Sequence, residues 1–109
     1  MSSCCEQVTK SEERSPSDDK IATVTETHCG PPGDDSTQLN IRAATDAFSI
    51  RLGIVVALDG RHVITVHWES DTKLTVDLPK SALPKDFVEP DIPTQHTDVD
   101  GVHIEYRFL

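Results

Sequence analysis

The chain is short of the features that usually announce a function. Its 109 residues include three cysteines, five glycines, one tryptophan, one tyrosine and three phenylalanines. No apolar run approaches the roughly 18–20 residues a membrane-spanning helix needs. No basic stretch leads into an apolar segment near Met1, so a secretory signal is not expected. Ser2 rather than glycine follows Met1, which excludes N-myristoylation. Positive charge is scarce: ten Lys and Arg stand against nineteen Asp and Glu, a formal net charge of -9. The basic patch that marks nucleic-acid binding is therefore missing, and no nucleic-acid partner is expected. An acidic surface also disfavours anionic membranes and suits a protein partner with a basic surface.

Motifs that carry chemistry are equally sparse. There is no G-x-S-x-G elbow. Gly30 and Gly33 lie among prolines and follow no clear strand, so they do not make a phosphate loop. His62 and His67 are five apart on one strand-like run and point to opposite faces. His96 and His103 flank a loop, and His28 adjoins Cys29, yet no paired spacing makes a metal site. Asp98 and Asp100 before Gly101 read as a turn, because the rest of a calcium loop does not follow. The reading is a non-enzyme with no metal and no cofactor. Cys4, Cys5 and Cys29 are odd in number and all precede the apolar part of the chain, so no disulfide staple is expected. That usage points to a reducing compartment, the cytoplasm.

What the chain does have is an abrupt change of texture near Leu39. Met1 to Gln38 is polar and acidic, with eight of the nineteen acidic residues against Lys10, Arg14 and Lys20. Val8, Ile21, Ala22 and Val24 are its only notable aliphatic residues. Residues 1–38 therefore read as a disordered acidic tail that buries too little apolar surface to offset its ordering entropy. Within it, Lys20 to Thr27 alternates enough to add as a loose edge strand. Ser15-Pro16 has the form of a proline-directed phosphorylation site.

Residues 39–109 read as a small β domain. Ala47 to Leu58 alternates with period two and is the longest expected strand, bent at Gly53. Asp59-Gly60 is a short hairpin signal leading to a second strand over His62 to Glu69. Ser70-Asp71 turns into a third strand, Lys73 to Leu78. Ser81 to Leu83 is expected to form one helical turn, among Pro84, Pro90 and Pro93. Val102, Ile104, Tyr106 and Phe108 make a final strand. The fold class is mainly β: a small curled antiparallel sheet or partly open barrel of four or five strands. A domain of about 60–70 residues buries only about 60% of its unfolded surface, which suits a binding module better than an enzyme with a walled cavity.

Ala57-Leu58-Asp59-Gly60-Arg61-His62, the alternation to Trp68, then Leu78-Pro79 and Leu83 together resemble the N-terminal β domain of gamma-butyrobetaine hydroxylase-type dioxygenases. The resemblance spans about 30 residues. It implies a small β-rich module that assists an oxidoreductase. The family's zinc cysteines have no counterpart here, since no cysteine follows Cys29, and the catalytic domain has no room. The same hairpin with a following tryptophan also resembles Tudor-, chromo- and KOW-type small barrels.

The expected function is a non-catalytic protein-interaction or assembly module. It would bind a protein partner through a sheet edge or a groove near Trp68, with His67, His103, Tyr106 and Phe108 as further contacts. The C-terminal strand is a candidate edge for a homodimer. The alternatives are an accessory domain of a metabolic oxidoreductase, and a small-barrel nucleic-acid binder that the charge disfavours.

Overall fold

The computed structural model describes residues 6–29, 34–79 and 94–109. It is mainly β, as expected, and over these residues shows nine strands in two sheets that do not close into a barrel. The strands are β1 (Glu6–Arg14), β2 (Lys20–Cys29), β3 (Asp34–Ala43), β4 (Ile54–Asp59), β5 (Thr65–Ser70), β6 (Lys73–Leu78), β7 (Thr94–Gln95), β8 (Asp98–Val99) and β9 (Val102–Phe108). The first sheet runs β1-β2-β3-β4-β7 and is antiparallel throughout. The second runs β5-β6-β9-β8, with β6 and β9 parallel. The core lies between the two sheets. Ala22, Val24, Leu39 and Ile41 come from the first, and Leu74, Val76, Val102 and Ile104 from the second.

The segment before Leu39 is not a disordered tail over its described residues: Glu6–Arg14 and Lys20–Cys29 are strands. Nor is Lys20 to Thr27 a loose edge, because β2 sits between β1 and β3. Ala22 pairs with Ile41 and Val24 with Leu39, so a few small apolar residues suffice once β3 supplies the larger ones. Threonine fits a pleated surface well, and Thr23 and Thr25 are fully buried on the opposite face of β2. The turn after β1 is tight. Ser15 donates its N–H to the Lys20 carbonyl, and the Lys20 N–H bonds the Ser15 hydroxyl. Ser15 is almost fully buried, so the Ser15-Pro16 site offers no exposed hydroxyl.

The long strand expected over Ala47 to Leu58 starts only at Ile54. Residues 44–53 instead fold back over the face of β3 that carries Gln38 and Asn40. Buried Asn40 donates to the carbonyls of Ile50 (3.1 Å) and Leu52 (2.9 Å), and Gln38 also donates to Ile50. Gly53 marks the reversal at φ +68°. A Cβ there would lie 1.9 Å from the Ile41 carbonyl oxygen, so only glycine fits.

Asp59-Gly60 does not close a hairpin, because β4 and β5 belong to different sheets. β3 captures the chain at this point: the Gly60 N–H donates to the Asp35 carbonyl at 2.7 Å. The two-residue turn after Ser70 does form a hairpin, and Lys73 to Leu78 and the final strand stand where the alternation put them. The expected helical turn at residues 81–83 lies outside the described residues.

Two clamps join the sheets. At one edge the Ser17 N–H and hydroxyl both donate to Asp71 Oδ1, at 2.9 and 2.7 Å, and the Trp68 indole N–H donates to the Glu13 carbonyl at 2.9 Å. At the other, the Tyr106 hydroxyl donates to the carbonyls of Val55 and His96.

Candidate functional site

The five residues singled out from the sequence do not form one site. Facing partners in a sheet share a face. His67 therefore lies with Thr75 and Glu105 on the outer face of the second sheet, and His103 lies with Lys73. Trp68, Tyr106 and Phe108 lie on the inner face and pack against the core. The indole and phenol also spend their N–H and O–H on inter-sheet bonds. Burial pushes the Tyr106 hydroxyl well above the ordinary phenol range, despite its bond to the His96 carbonyl. These two residues hold the sheets together, as buried Tyr and Trp with satisfied polar ends usually do.

The outer face of the second sheet is a ladder of paired charges. Arg107 grips Asp77 with two bonds of 2.6 and 2.8 Å, and His67 Nε2 approaches the same carboxylate at 3.5 Å. Arg107 holds the Asp77 carboxyl below the ordinary carboxylate range. Lys73 pairs with Glu105 at 3.1 Å. Complementary pairs of this kind leave little unmet charge for a ligand.

The C-terminal strand is not a free edge along its whole length: β6 flanks one side and β8 covers Val102 and His103 on the other. Among the described residues the longest edge strand paired on one side alone is β1, exposed along nearly its whole length. It carries a bulge at Lys10 and mixed charges, the devices that blunt an edge against indiscriminate pairing.

Beside that edge the two sheets part. The Trp68–Glu13 bond and the Ser17–Asp71 clamp hold them at one end. Further along β1 a cleft of about 220 Å³ opens between Lys10 and Ser11 of β1, Val24 and Glu26 of β2, and the connection His62-Val63-Ile64. Val63 is 78% exposed and stands on the cleft's rim. It also lines a second groove of about 200 Å³, with Leu78, Pro79 and Leu109.

Local bonds set the cleft's far wall. The fully buried Thr37 hydroxyl donates to the Gly60 carbonyl at 2.9 Å and accepts from the His62 N–H at 3.0 Å. Arg61 Nε meets Asp35 Oδ2 at 3.0 Å. Asp35 in turn meets His28 Nδ1 at 3.1 Å, while His28 Nε2 meets Glu26 Oε1 at 3.3 Å. The His28 ring and then Arg61 hold the Asp35 carboxyl below its ordinary range, against a smaller opposing effect of burial. The row Arg61–Asp35–His28–Glu26 so ties the connection after β4 to the floor of the cleft.

Cys29, at the end of β2, is disulfide-bonded, contrary to the expectation of no staple. The chain's other cysteines, Cys4 and Cys5, lie outside the described residues. Among the described residues no group of three or more His, Cys, Asp or Glu is arranged to hold a metal ion. None of the helices needed to cross a membrane is present among them either.

Sequence reading missed Lys10, Glu26 and Val63. The first two fell in the segment taken for a tail, and the alternation of Lys20 to Thr27 was the one signal that could have placed Glu26 in a sheet. Comparison with family models, curated proteins and solved structures finds no match.

Proposed function

We propose that this chain is a non-catalytic protein-interaction module that takes an extended segment of a partner protein along the cleft between β1 and residues 62–64. The observation that carries the reading is the cleft itself. It joins an unpaired strand edge to apolar walls from Val24, Val63 and Ile64, with Val63 left largely exposed. Main-chain bonding at a sheet edge combined with a side-chain pocket is how β-strand addition obtains both affinity and selectivity. The cleft lies beside β5, so the groove expected near Trp68 becomes one that starts where the Trp68–Glu13 bond ends. The net charge of -9 favours a partner with basic side chains. The disulfide at Cys29 supports an oxidising compartment rather than the cytoplasm.

Panning a random-peptide library against the full chain tests this reading. Enriched peptides should be β-branched and basic, and their binding should be lost in Val63→Glu. Binders that are indifferent to that change, or no enrichment at all, would contradict it.

A further inference from the structure

The cleft holds one carboxylate among apolar walls, and its two oxygens are treated differently. Glu26 is only 13% exposed at its side chain. His28 Nε2 holds Oε1 at 3.3 Å from within the sheet, which fixes the direction of the group. Among the described residues, Oε2 is met by Lys10, whose Nζ stands 3.9 Å away, beyond hydrogen-bond distance, on a side chain that is half exposed. Lys10 is also the bulged residue of β1, between Thr9 and Ser11 in the pairing with β2. Its long stem can therefore leave without disturbing the ladder.

We infer that the cleft selects a lysine or arginine side chain of the bound segment: Glu26 Oε2 receives the cationic head, Val24, Val63 and Ile64 line its stem, and Lys10 is a resident placeholder that the incoming cation displaces. This rests on the reading of the cleft as a peptide groove and names the chemistry that groove takes. Three facts support it. A cavity near 220 Å³ falls below the usual range for drug-sized ligands and suits one side chain. Long cationic side chains lay their methylenes on apolar surface and keep the head at a polar partner. The chain already places a cation at this carboxylate, at a separation longer than a direct hydrogen bond.

The test uses the full chain, nitrogen-15 labelled, titrated with the acetylated, amidated pentapeptide Thr-Val-Lys-Val-Thr and with its norleucine counterpart, which keeps the stem and lacks the charge. The lysine peptide should shift the amides of Ser11, Glu26, Val63 and Ile64 and bind about tenfold or more tightly than the norleucine peptide, as a charge-assisted bond implies. Glu26→Gln should abolish that preference while its own spectrum shows an intact fold. Lys10→Met should strengthen lysine-peptide binding several-fold by removing the placeholder. Equal binding of both peptides at these amides would overturn the Glu26 anchor and leave the groove standing. Absence of shifts at these amides with either peptide would overturn the groove as well.

Discussion

Thr37→Val is the sharpest probe of how the cleft wall is built. Valine keeps the shape of threonine and removes the one hydroxyl that bridges the Gly60 carbonyl and the His62 N–H. Thr37 is fully buried, so no water replaces the hydroxyl from its own side. Losing two hydrogen bonds and leaving a donor and an acceptor short of partners costs about 2 kcal/mol. Thr37→Ser is the control, because it keeps both bonds and loses a methyl group, at about 1 kcal/mol. Urea unfolding followed by Trp68 fluorescence gives both totals. Hydrogen exchange separates their origins: a local loss near 2 kcal/mol speeds exchange of the His62 amide on the order of 30-fold in Thr37→Val. Thr37→Ser should leave that amide protected. If Thr37→Val is no more destabilising than Thr37→Ser and His62 exchanges at the native rate, the bridge does not position the wall.

Three other outcomes follow from the same geometry. Gly53→Ala should destabilise by more than about 3 kcal/mol in urea, since it combines a left-handed backbone with a Cβ driven into the Ile41 carbonyl; a normal midpoint would refute the placement of residues 44–53. Asp35, Asp71 and Asp77 are all held below the ordinary aspartate range, so the stability they confer is present above about pH 4 and is lost as pH falls through their lowered values. Urea midpoints between about pH 2 and 7 should therefore be flat at the neutral end and fall at the acid end, less so for Arg107→Gln, which frees Asp77. Reduction of the protein should lower its stability by about 3 kcal/mol, a typical contribution of a disulfide such as that at Cys29; an unchanged unfolding curve would contradict a supporting role for that bond.

How much of this was legible in the sequence varied with how far each contact reaches. Lys73 to Leu78 and Val102 to Phe108 were readable because their Leu, Val and Ile positions face one core. Their parallel pairing was not, because it is set by a partner about 30 residues away rather than by any local signal. β1 was invisible for the opposite reason: it is an edge exposed on both faces, so Glu6 to Arg14 carries no hydrophobic period. β2 was ambiguous because both its faces are buried, one against the core and one beside Gln38 and Asn40, which permits threonine where alternation would lead one to expect solvent. Residues 47–53 carried a period of two by coincidence. Asn40, polar and buried, outweighed that pattern by bonding three carbonyls of the segment. The site followed the same logic. Trp68 marked the right neighbourhood, but as a clamp. Glu26 and Lys10 belong to strands whose existence depends on β3.

Intermolecular nuclear Overhauser contacts between the full chain and the lysine pentapeptide test the central claim most directly. The account predicts contacts from the peptide's lysine methylenes to the methyl groups of Val24 and Val63. Contacts confined to Phe108, Leu109 or the outer face around His67 and His103 would contradict it, and would move recognition away from the cleft between the sheets.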